Sequence, residues 1–297
     1  MIRCQPLMGT FVVVKIKDIG QEEQLTKDRE KFYQYIISIV FSEMKQVQSL
    51  MSFHDMDSDV SRINQISLAK KYMNIEVHPW TLEVLQIAKD LFIQTGGSFD
   101  CGIGNHLMAW GLLPGQMSEE EYLYMQRSCL ASILIENQAQ IRLIGPVMLD
   151  LGGIAKGYAI DRGIQVLSRF GIERALINAG GDIRSLGPEQ EPISLRDVRD
   201  QSTYSPLGKI QDEALAVSST SFCKKNIGNC HISHLVNPIS GQSIDDLWTY
   251  VVKAPSCVIA DGLTKALAVD KDIHAKYFGL LKASAQIIRS NTSNSLM

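Results

Sequence analysis

The chain has 297 residues, of which 45% are hydrophobic and 21% charged, and its formal net charge is −3. This composition is typical of a soluble globular protein with a large core, and it is not typical of a disordered chain. The small negative charge provides no polybasic surface. Neither nucleic acid nor a membrane is therefore an expected partner.

The N-terminal segment MIRCQPLMGTFVVVKI lacks the apolar core of a signal peptide. The chain also has no apolar stretch of about 18 residues, the length that a spanning helix needs. The sequence as given predicts a cytoplasmic protein, with a periplasmic or membrane-anchored location if a signal segment was removed. The cysteines show no metal-type pairing, which favours reduced thiols and no Cys223–Cys230 disulfide.

The first half of the chain predicts one strand followed by helices. Residues 9–16, GTFVVVKI, are rich in β-branched side chains and predict a strand, whereas 21–51 has apolar residues at helical spacing. The Ser- and Asp-rich segment MSFHDMDSDVSRIN then predicts a loop and a new helix cap. Further helices are predicted over 79–95 and 118–128.

The second half combines short strands with two helices. Two strands are predicted between 131 and 151, the second being PVMLDL, and helices are predicted over 154–169 and 256–269, the latter with Ser256 as N-cap. Further strands are predicted in RALINAGGDIRSLG, EPISLRDV, EALAVSSTS, CHISHLVN and WTYVVKA. This order favours an α+β fold with mixed, largely antiparallel sheets and packed helices, rather than strict βα alternation.

Three glycine pairs occur at predicted element junctions, each close to an aspartate. Any one of them alone is typical of a turn. Glycine also lets the backbone approach a ligand closely, and free N–H groups at a helix start favour anions. The stretch LDLGGIAKGYAID, 149–161, therefore predicts a pyrophosphate site with Lys156 as countercharge, although neither the P-loop nor the G-x-G-x-x-G motif occurs. The pairs are Gly96-Gly97 before Asp100, Gly152-Gly153 after Asp150, and Gly180-Gly181 before Asp182.

Nine segments between residues 6 and 269 resemble, in the same order, the FAD:protein FMN transferases of the ApbE type. The resemblance implies an ApbE-like, T-fold-related architecture in a single domain over 1–297. Two interlocked subdomains with the FAD cleft between them are the alternative, and 270–297 is expected to be a C-terminal extension. The segments are PLMGT, MSFHDMDSDVSRIN, TGGSFDCGI, WG, LDLGGIAKGYAID, INAGGDI, SSTS, SHLVNPISG and IADGLTKAL.

The function that this resemblance implies is a Mg²⁺-dependent transfer of FMN from FAD to a Thr or Ser hydroxyl of a target flavoprotein, with release of AMP. Two alternatives stay open. One is a non-catalytic FAD-binding protein in which Lys265 neutralises the pyrophosphate without metal. The other is a Mg²⁺-dependent pyrophosphatase that cuts FAD to FMN and AMP.

The resemblance also implies roles for individual residues. His234 corresponds to the histidine that takes the proton from the acceptor hydroxyl, and an imidazole titrates near working pH. Gly153, through its carbonyl, and Asp261, through its carboxylate, correspond to magnesium ligands, and Thr264 and Lys265 occupy further metal-associated positions. Oxygen ligands suit this hard dication. The implied FAD contacts are Met8, His54, Ser98, Phe99, Asp100, Asp150, Lys156 and Val236.

Four positions depart from the family pattern. Lys265 stands where the family has a threonine that helps to hold magnesium. A dication repels an ammonium, and Lys265 can instead pair with Asp261, one helical turn earlier. His54 replaces a tyrosine that packs against the cofactor, Asn237 replaces an aspartate, and Phe222 stands where glycine is preferred.

Overall fold

The computed structural model describes residues 1–17, 26–196, 204–220, 224–227, 230–273 and 277–289. Parts of some sequence-based predictions lie outside these ranges. They are the first residues of the helix predicted over 21–51, the ends of the EPISLRDV and EALAVSSTS strands, Phe222, Cys223 and part of the segment 270–297.

The strands form one large sheet and several small ones. In chain order they are β1 (Ile2–Leu7), β2 (Thr10–Ile16), β3 (Asn74–Glu76), β4 (Ile133–Ile135), β5 (Gln140–Leu143), β6 (Ala175–Ala179), β7 (Asp182–Leu186), β8 (Glu191–Arg196), β9 (Tyr204–Ile210), β10 (Ala214–Ser219), β11 (Lys224–Ile227), β12 (Cys230–Ser233), β13 (Val236–Asn237), β14 (Gln242–Ser243), β15 (Trp248–Ala254) and β16 (Ser284–Arg289).

The helices agree with the sequence-based predictions over 79–95, 118–128, 154–169 and 256–269, apart from their ends. None in the described ranges is both long and apolar enough to span a bilayer. They are α1 (Lys27–Met51), α2 (Asp59–Leu68), α3 (Pro79–Gln94), α4 (Gly104–Ala109), α5 (Glu119–Met125), α6 (Ala155–Arg169) and α7 (Cys257–Val269).

The large sheet is antiparallel throughout and has the order β1-β2-β6-β7-β10-β15-β16. Helices α6 and α7 pack side by side against its central strands, and α1 packs on α6. The main hydrophobic core lies between these helices and the sheet. Leu215 and Val251 alternate along their strands with residues that face this core, so their side chains point to the other side of the sheet. There they form a smaller core with Ile193, Leu207 and Ile210 of the β8–β9 hairpin. The predicted α+β class with mixed, largely antiparallel sheets is confirmed.

The sequence pattern does not predict β1 and β16, the two edges of the large sheet. Most residues of β1 are exposed, and those of β16 alternate between exposed and half-buried. An edge strand of this kind lacks the apolar pattern by which strands are recognised. β16 lies in the segment expected to be a C-terminal extension, and it pairs with β15 from Trp248 to Lys253.

The predicted strand PVMLDL is wrong. Residues 146–151 belong to no strand, although Val147 and Leu149 are fully buried. Isolated backbone contacts bond part of this segment, such as the Asp150 amide that donates to the Cys101 carbonyl at 2.8 Å, and side chains bond other parts. The Val147 amide donates to Ser67 Oγ at 2.9 Å, and the Asn64 side chain bonds both the amide and the carbonyl of Leu149. A buried apolar run satisfied in this way has the sequence pattern of a strand without being one.

The single strand predicted in CHISHLVN is two strands, β12 and β13. Ser233 Oγ accepts from the Leu235 amide at 3.1 Å and donates to the Ile244 carbonyl at 2.6 Å, and this bends the chain between them. A serine side chain commonly replaces a strand partner in such bends. The bend leaves His234 outside both ladders.

Helices α6 and α7 approach each other closely at Gly157. A β-carbon at this position would lie 2.3 Å from the Cys257 carbonyl oxygen. Ser256 is the N-cap of α7 as predicted, but its side chain makes no capping bond. Instead Asp161 on α6 accepts from the amides of Cys257 and Val258, both at 2.9 Å. The start of α7 is therefore fixed by α6.

We expect Gly157→Ala to lower the free energy of unfolding by about 1–3 kcal/mol, because the added methyl group meets backbone that cannot turn away. Urea denaturation measures this change. Gly279→Ala is the control, since a β-carbon there meets no atom within 4 Å. Equal midpoints for Gly157→Ala and Gly279→Ala would show that the two helices can move apart without cost.

Candidate active site

A cleft of about 780 Å³ opens beside the N-terminal ends of α6 and β13. It brings together turns that are far apart in the sequence: the β1–β2 turn, the loop after α1, the two glycine turns at 98–103 and 150–156, and the bend at His234. Most of the predicted site residues line it. They are Met8, His54, Ser98, Phe99, Asp100, Asp150, Gly153, Lys156, His234, Val236 and Lys265.

The β1–β2 turn presents Met8 to the cleft in an unusual conformation. Met8 and Gly9 have positive φ angles of 54° and 72°, as a two-residue hairpin turn requires. The Met8 amide donates to Gln48 Oε1 at 2.7 Å, which ties the turn to α1. A bulky residue with φ above zero costs free energy and persists only where its surroundings hold it.

One wall of the cleft is apolar and contains residues that the motifs do not predict. Single leucines in GNHLMAWGLLPG carry no chemical signal of their own, so only their position in the fold identifies them. Rings of a cofactor commonly bind such walls. The wall consists of Ile103, Leu107, Leu112, Leu113, Leu235 and Pro238.

Asp100 and Asp150 support the two glycine turns. Asp100 Oδ1 accepts from the amides of Gly102 and Leu130 at 2.6 and 3.0 Å. Asp150 Oδ1 accepts from the Gly152 amide at 3.1 Å. Burial raises the pKa of both carboxyl groups despite these bonds. The two aspartates therefore shape the turns that face the cleft.

Four charged side chains form a network at the floor of the cleft. Lys156 Nζ lies 2.5 Å from Asp182 Oδ2 and 3.7 Å from Asp261 Oδ2. The Lys265 ammonium pairs with Asp261 Oδ1. Asp182, for which the sequence analysis expects no site role, also accepts from the Val217 amide at 3.2 Å. Its position after Gly180-Gly181 is the signal that could have found it.

The groups of this network perturb one another's pKa values, and burial raises the pKa of Asp182 even though the Lys156 ammonium opposes that shift. Burial opposes the charged form of both Lys156 and Asp261, but their partners outweigh it. Asp182 and Asp261 raise the pKa of Lys156, and Lys156 and Lys265 hold the pKa of Asp261 below its usual range. The cleft thus has two ammonium groups on its surface and two buried carboxylates behind them.

The residues implied as magnesium ligands are engaged by the protein itself. Asp261 binds Lys265, and the Lys265 stem lies across Gly153, where a β-carbon would be 3.4 Å from Lys265 Cε. Thr264 is buried, and its hydroxyl donates to the Asp261 carbonyl at 2.7 Å. Among the described residues, no group of three or more His, Cys, Asp or Glu could hold a metal. The site does not fit a divalent cation with its side chains in these positions.

His234 lies on the cleft wall with its side chain accessible to solvent from the cleft. The protein around the cleft nevertheless desolvates the ring. Together with the ammonium groups of Lys265 and Lys156, this lowers the pKa of His234 to about 4. The imidazole is therefore neutral at physiological pH and can accept a proton.

The departures at positions 54 and 237 have different consequences. His54 lies exposed at the edge of the cleft, where a ring can still cover a ligand. Asn237 Oδ1 accepts from the amides of Ile239 and Ser240 at 3.0 and 3.1 Å. An aspartate would make the same bonds, so asparagine preserves this turn without the charge.

The fold is that of the ApbE proteins. The crystal structure of the ApbE protein from Thermotoga maritima matches with a TM-score of 0.78 at 24% identity, covering 98% of this chain and 97% of that one. The apo form of the Pseudomonas stutzeri flavinyl transferase ApbE matches with a TM-score of 0.79 at 20% identity, covering 98% of this chain and 91% of that one.

The chain belongs to the ApbE family, whose model matches residues 8–282. A relative from Vibrio cholerae, an FAD:protein FMN transferase, is 27% identical over 277 residues, which are 89% of this chain and 79% of that protein. A second FAD:protein FMN transferase, from Haemophilus influenzae, is 26% identical over 279 residues, covering 88% and 78%. The family predicted from the nine segments is confirmed.

We expect His234 to stay neutral above about pH 5 in the ligand-free protein, well below the ordinary titration range of histidine. NMR titration of the imidazole C–H signals, assigned with His234→Gln, measures its pKa. Lys265→Met should raise that pKa, because it removes a positive charge that disfavours protonation. Titration of His234 at an ordinary value near 6.5 would show that the cleft does not desolvate the ring.

Proposed function

We propose that this protein transfers FMN from FAD to a Thr or Ser hydroxyl of a target flavoprotein and releases AMP. The observation that carries the proposal is one cleft that combines two ammonium groups, glycine turns at the start of α6 and a neutral imidazole. The names of the relatives support the same activity.

The cleft suits the two chemically different parts of FAD. Its apolar wall, with Leu107, Leu112 and Pro238, suits an aromatic ring system. The cleft is also lined by Gly152, Gly153 and the ammonium-bearing side chains of Lys156 and Lys265, which suit a pyrophosphate. A volume of about 780 Å³ lies within the range of sites for ligands of this kind.

The transfer requires one proton acceptor and charge stabilisation at the pyrophosphate. His234 takes the proton of the acceptor hydroxyl while the oxygen of that hydroxyl forms a bond to the phosphorus of the FMN half. The bond from that phosphorus to the bridging oxygen breaks, and AMP leaves with this oxygen. Lys156 and Lys265 donate hydrogen bonds to the oxygens on which negative charge builds. No step is assigned to magnesium, because Lys265 holds the carboxylate that would bind it.

The proposed function is tested by incubating the protein with FAD and a flavoprotein domain that contains an acceptor threonine. Intact-mass spectrometry of the domain and chromatography of the nucleotides are the two measurements. Transfer adds one FMN phosphoester to the domain and yields an equal amount of AMP. Free FMN with AMP and an unmodified domain would indicate a pyrophosphatase. FAD bound without AMP would indicate a binding protein.

In the same assay we expect His234→Ala to lower the transfer rate by about 10²- to 10⁴-fold, the usual contribution of a positioned general base. FAD affinity should change little, since a neutral ring contributes no charge to the pyrophosphate site. His231→Ala is the matched control, because this histidine is exposed on β12 and does not line the cleft. Unchanged transfer by His234→Ala would assign the proton to another group.

We expect the protein to bind FAD at least about 10-fold more tightly than FMN, because FMN lacks the adenosine and one phosphate that the cleft can contact. Isothermal titration calorimetry with each ligand measures the ratio. AMP alone serves as the control for the adenosine half. Equal affinity for FAD and FMN would contradict the assignment of the cleft to a dinucleotide.

A further inference from the structure

Asp261 is a buried carboxylate whose two oxygens both have partners. Its side chain has no exposed surface. Oδ1 accepts from Lys265, and Oδ2 accepts from the Gly157 amide at 3.1 Å and lies 3.7 Å from Lys156 Nζ. A metal ion that bound Asp261 would have to displace the lysine from the inner end of the cleft.

Lys265 lies next to both of the main residues implied as magnesium ligands. Its ammonium binds Asp261, and its methylene groups lie against Gly153. The side chain is 20% exposed and lines the cleft, so it is within reach of a bound ligand. An ammonium has three donors, and its bond to Asp261 leaves donors for a ligand.

The network already pairs each of its two carboxyl groups with an ammonium group. Lys156 binds Asp182 and Lys265 binds Asp261, so neither carboxyl group needs a further cation as a partner. A divalent ion added here would lie beside two ammonium groups in a partly desolvated cleft, where repulsion is only weakly screened. The network instead has two ammonium groups within reach of an anionic ligand.

We propose that the Lys265 ammonium serves as the cation for the FAD pyrophosphate, so that this protein binds FAD and releases AMP without a divalent metal. The inference rests on the proposed function for the AMP step, but the FAD-binding part stands by itself. Asp261 holds the ammonium from behind, and Lys156 provides a second donor on the same side of the cleft.

FAD affinity is measured by fluorescence titration of the wild-type protein in excess EDTA and with millimolar Mg²⁺. AMP release in the presence of the acceptor domain is followed under both conditions. We expect affinity and AMP release to be the same within about threefold. Mg²⁺ should not raise the melting temperature either, because a metal that does not bind the folded state cannot stabilise it. Loss of FAD binding in EDTA with recovery in Mg²⁺ would overturn the inference.

Lys265→Thr should weaken FAD binding in EDTA by about 10- to 100-fold, the value of a charge-assisted hydrogen bond. Mg²⁺ should restore part of this loss and raise the melting temperature of the variant, because Asp261 is then free to bind it. Lys265→Arg, which keeps the charge, should remain independent of Mg²⁺. The matched control is Lys271→Thr, which removes a lysine paired with Asp246 at 3.2 Å outside the cleft.

The results separate the two proposals. Metal-independent FAD binding that Lys265→Thr weakens supports the role of Lys265 even if no acceptor is modified and no AMP appears, and in that case the proposed transferase function is wrong. Wild-type affinity of Lys265→Thr in EDTA overturns the role of Lys265 whether or not transfer occurs. The EDTA comparison of the wild type needs no variant, so it decides the question even if Lys265→Thr does not fold.

Discussion

The rest of the site depends on the ion pairs and the hydrogen bond that the buried Asp261 carboxylate makes. An ionised group with no exposed surface is stable only when charges and hydrogen bonds compensate its lost hydration. Lys156, Lys265 and the Gly157 amide provide that compensation. All three are in place only because α6 and α7 pack closely at Gly157, where no side chain would fit.

The same network sets the chemistry of the cleft. Its two lysine side chains line the cleft, and their ammonium groups also help to lower the pKa of His234. A neutral imidazole beside fixed positive charge combines a proton acceptor with an anion site. The two properties are compatible, because positive charge that attracts an anion also keeps a nearby imidazole unprotonated.

Local patterns predicted much of the fold. The sequence patterns in 79–95 and 154–169 predict helices, and both segments are helical in the structure. The patterns failed where tertiary contacts replaced local ones. PVMLDL is buried like a strand but is bonded by Asn64 and Ser67, and the edge strands β1 and β16 are too exposed to show a clear period.

The sequence by itself determined the family, the antiparallel α+β class and a set of site residues of which most line the cleft, because ordered motifs and short-range periodicity can be read directly from the chain. The i, i+4 spacing also indicated that Lys265 can pair with Asp261. Only the tertiary structure decided that Lys265 lies across Gly153, that Thr264 faces inward, and that Asp182 holds Lys156. The partners of most of these contacts lie far apart along the chain. Their charges and pKa values depend on distance and burial, which sequence spacing does not specify.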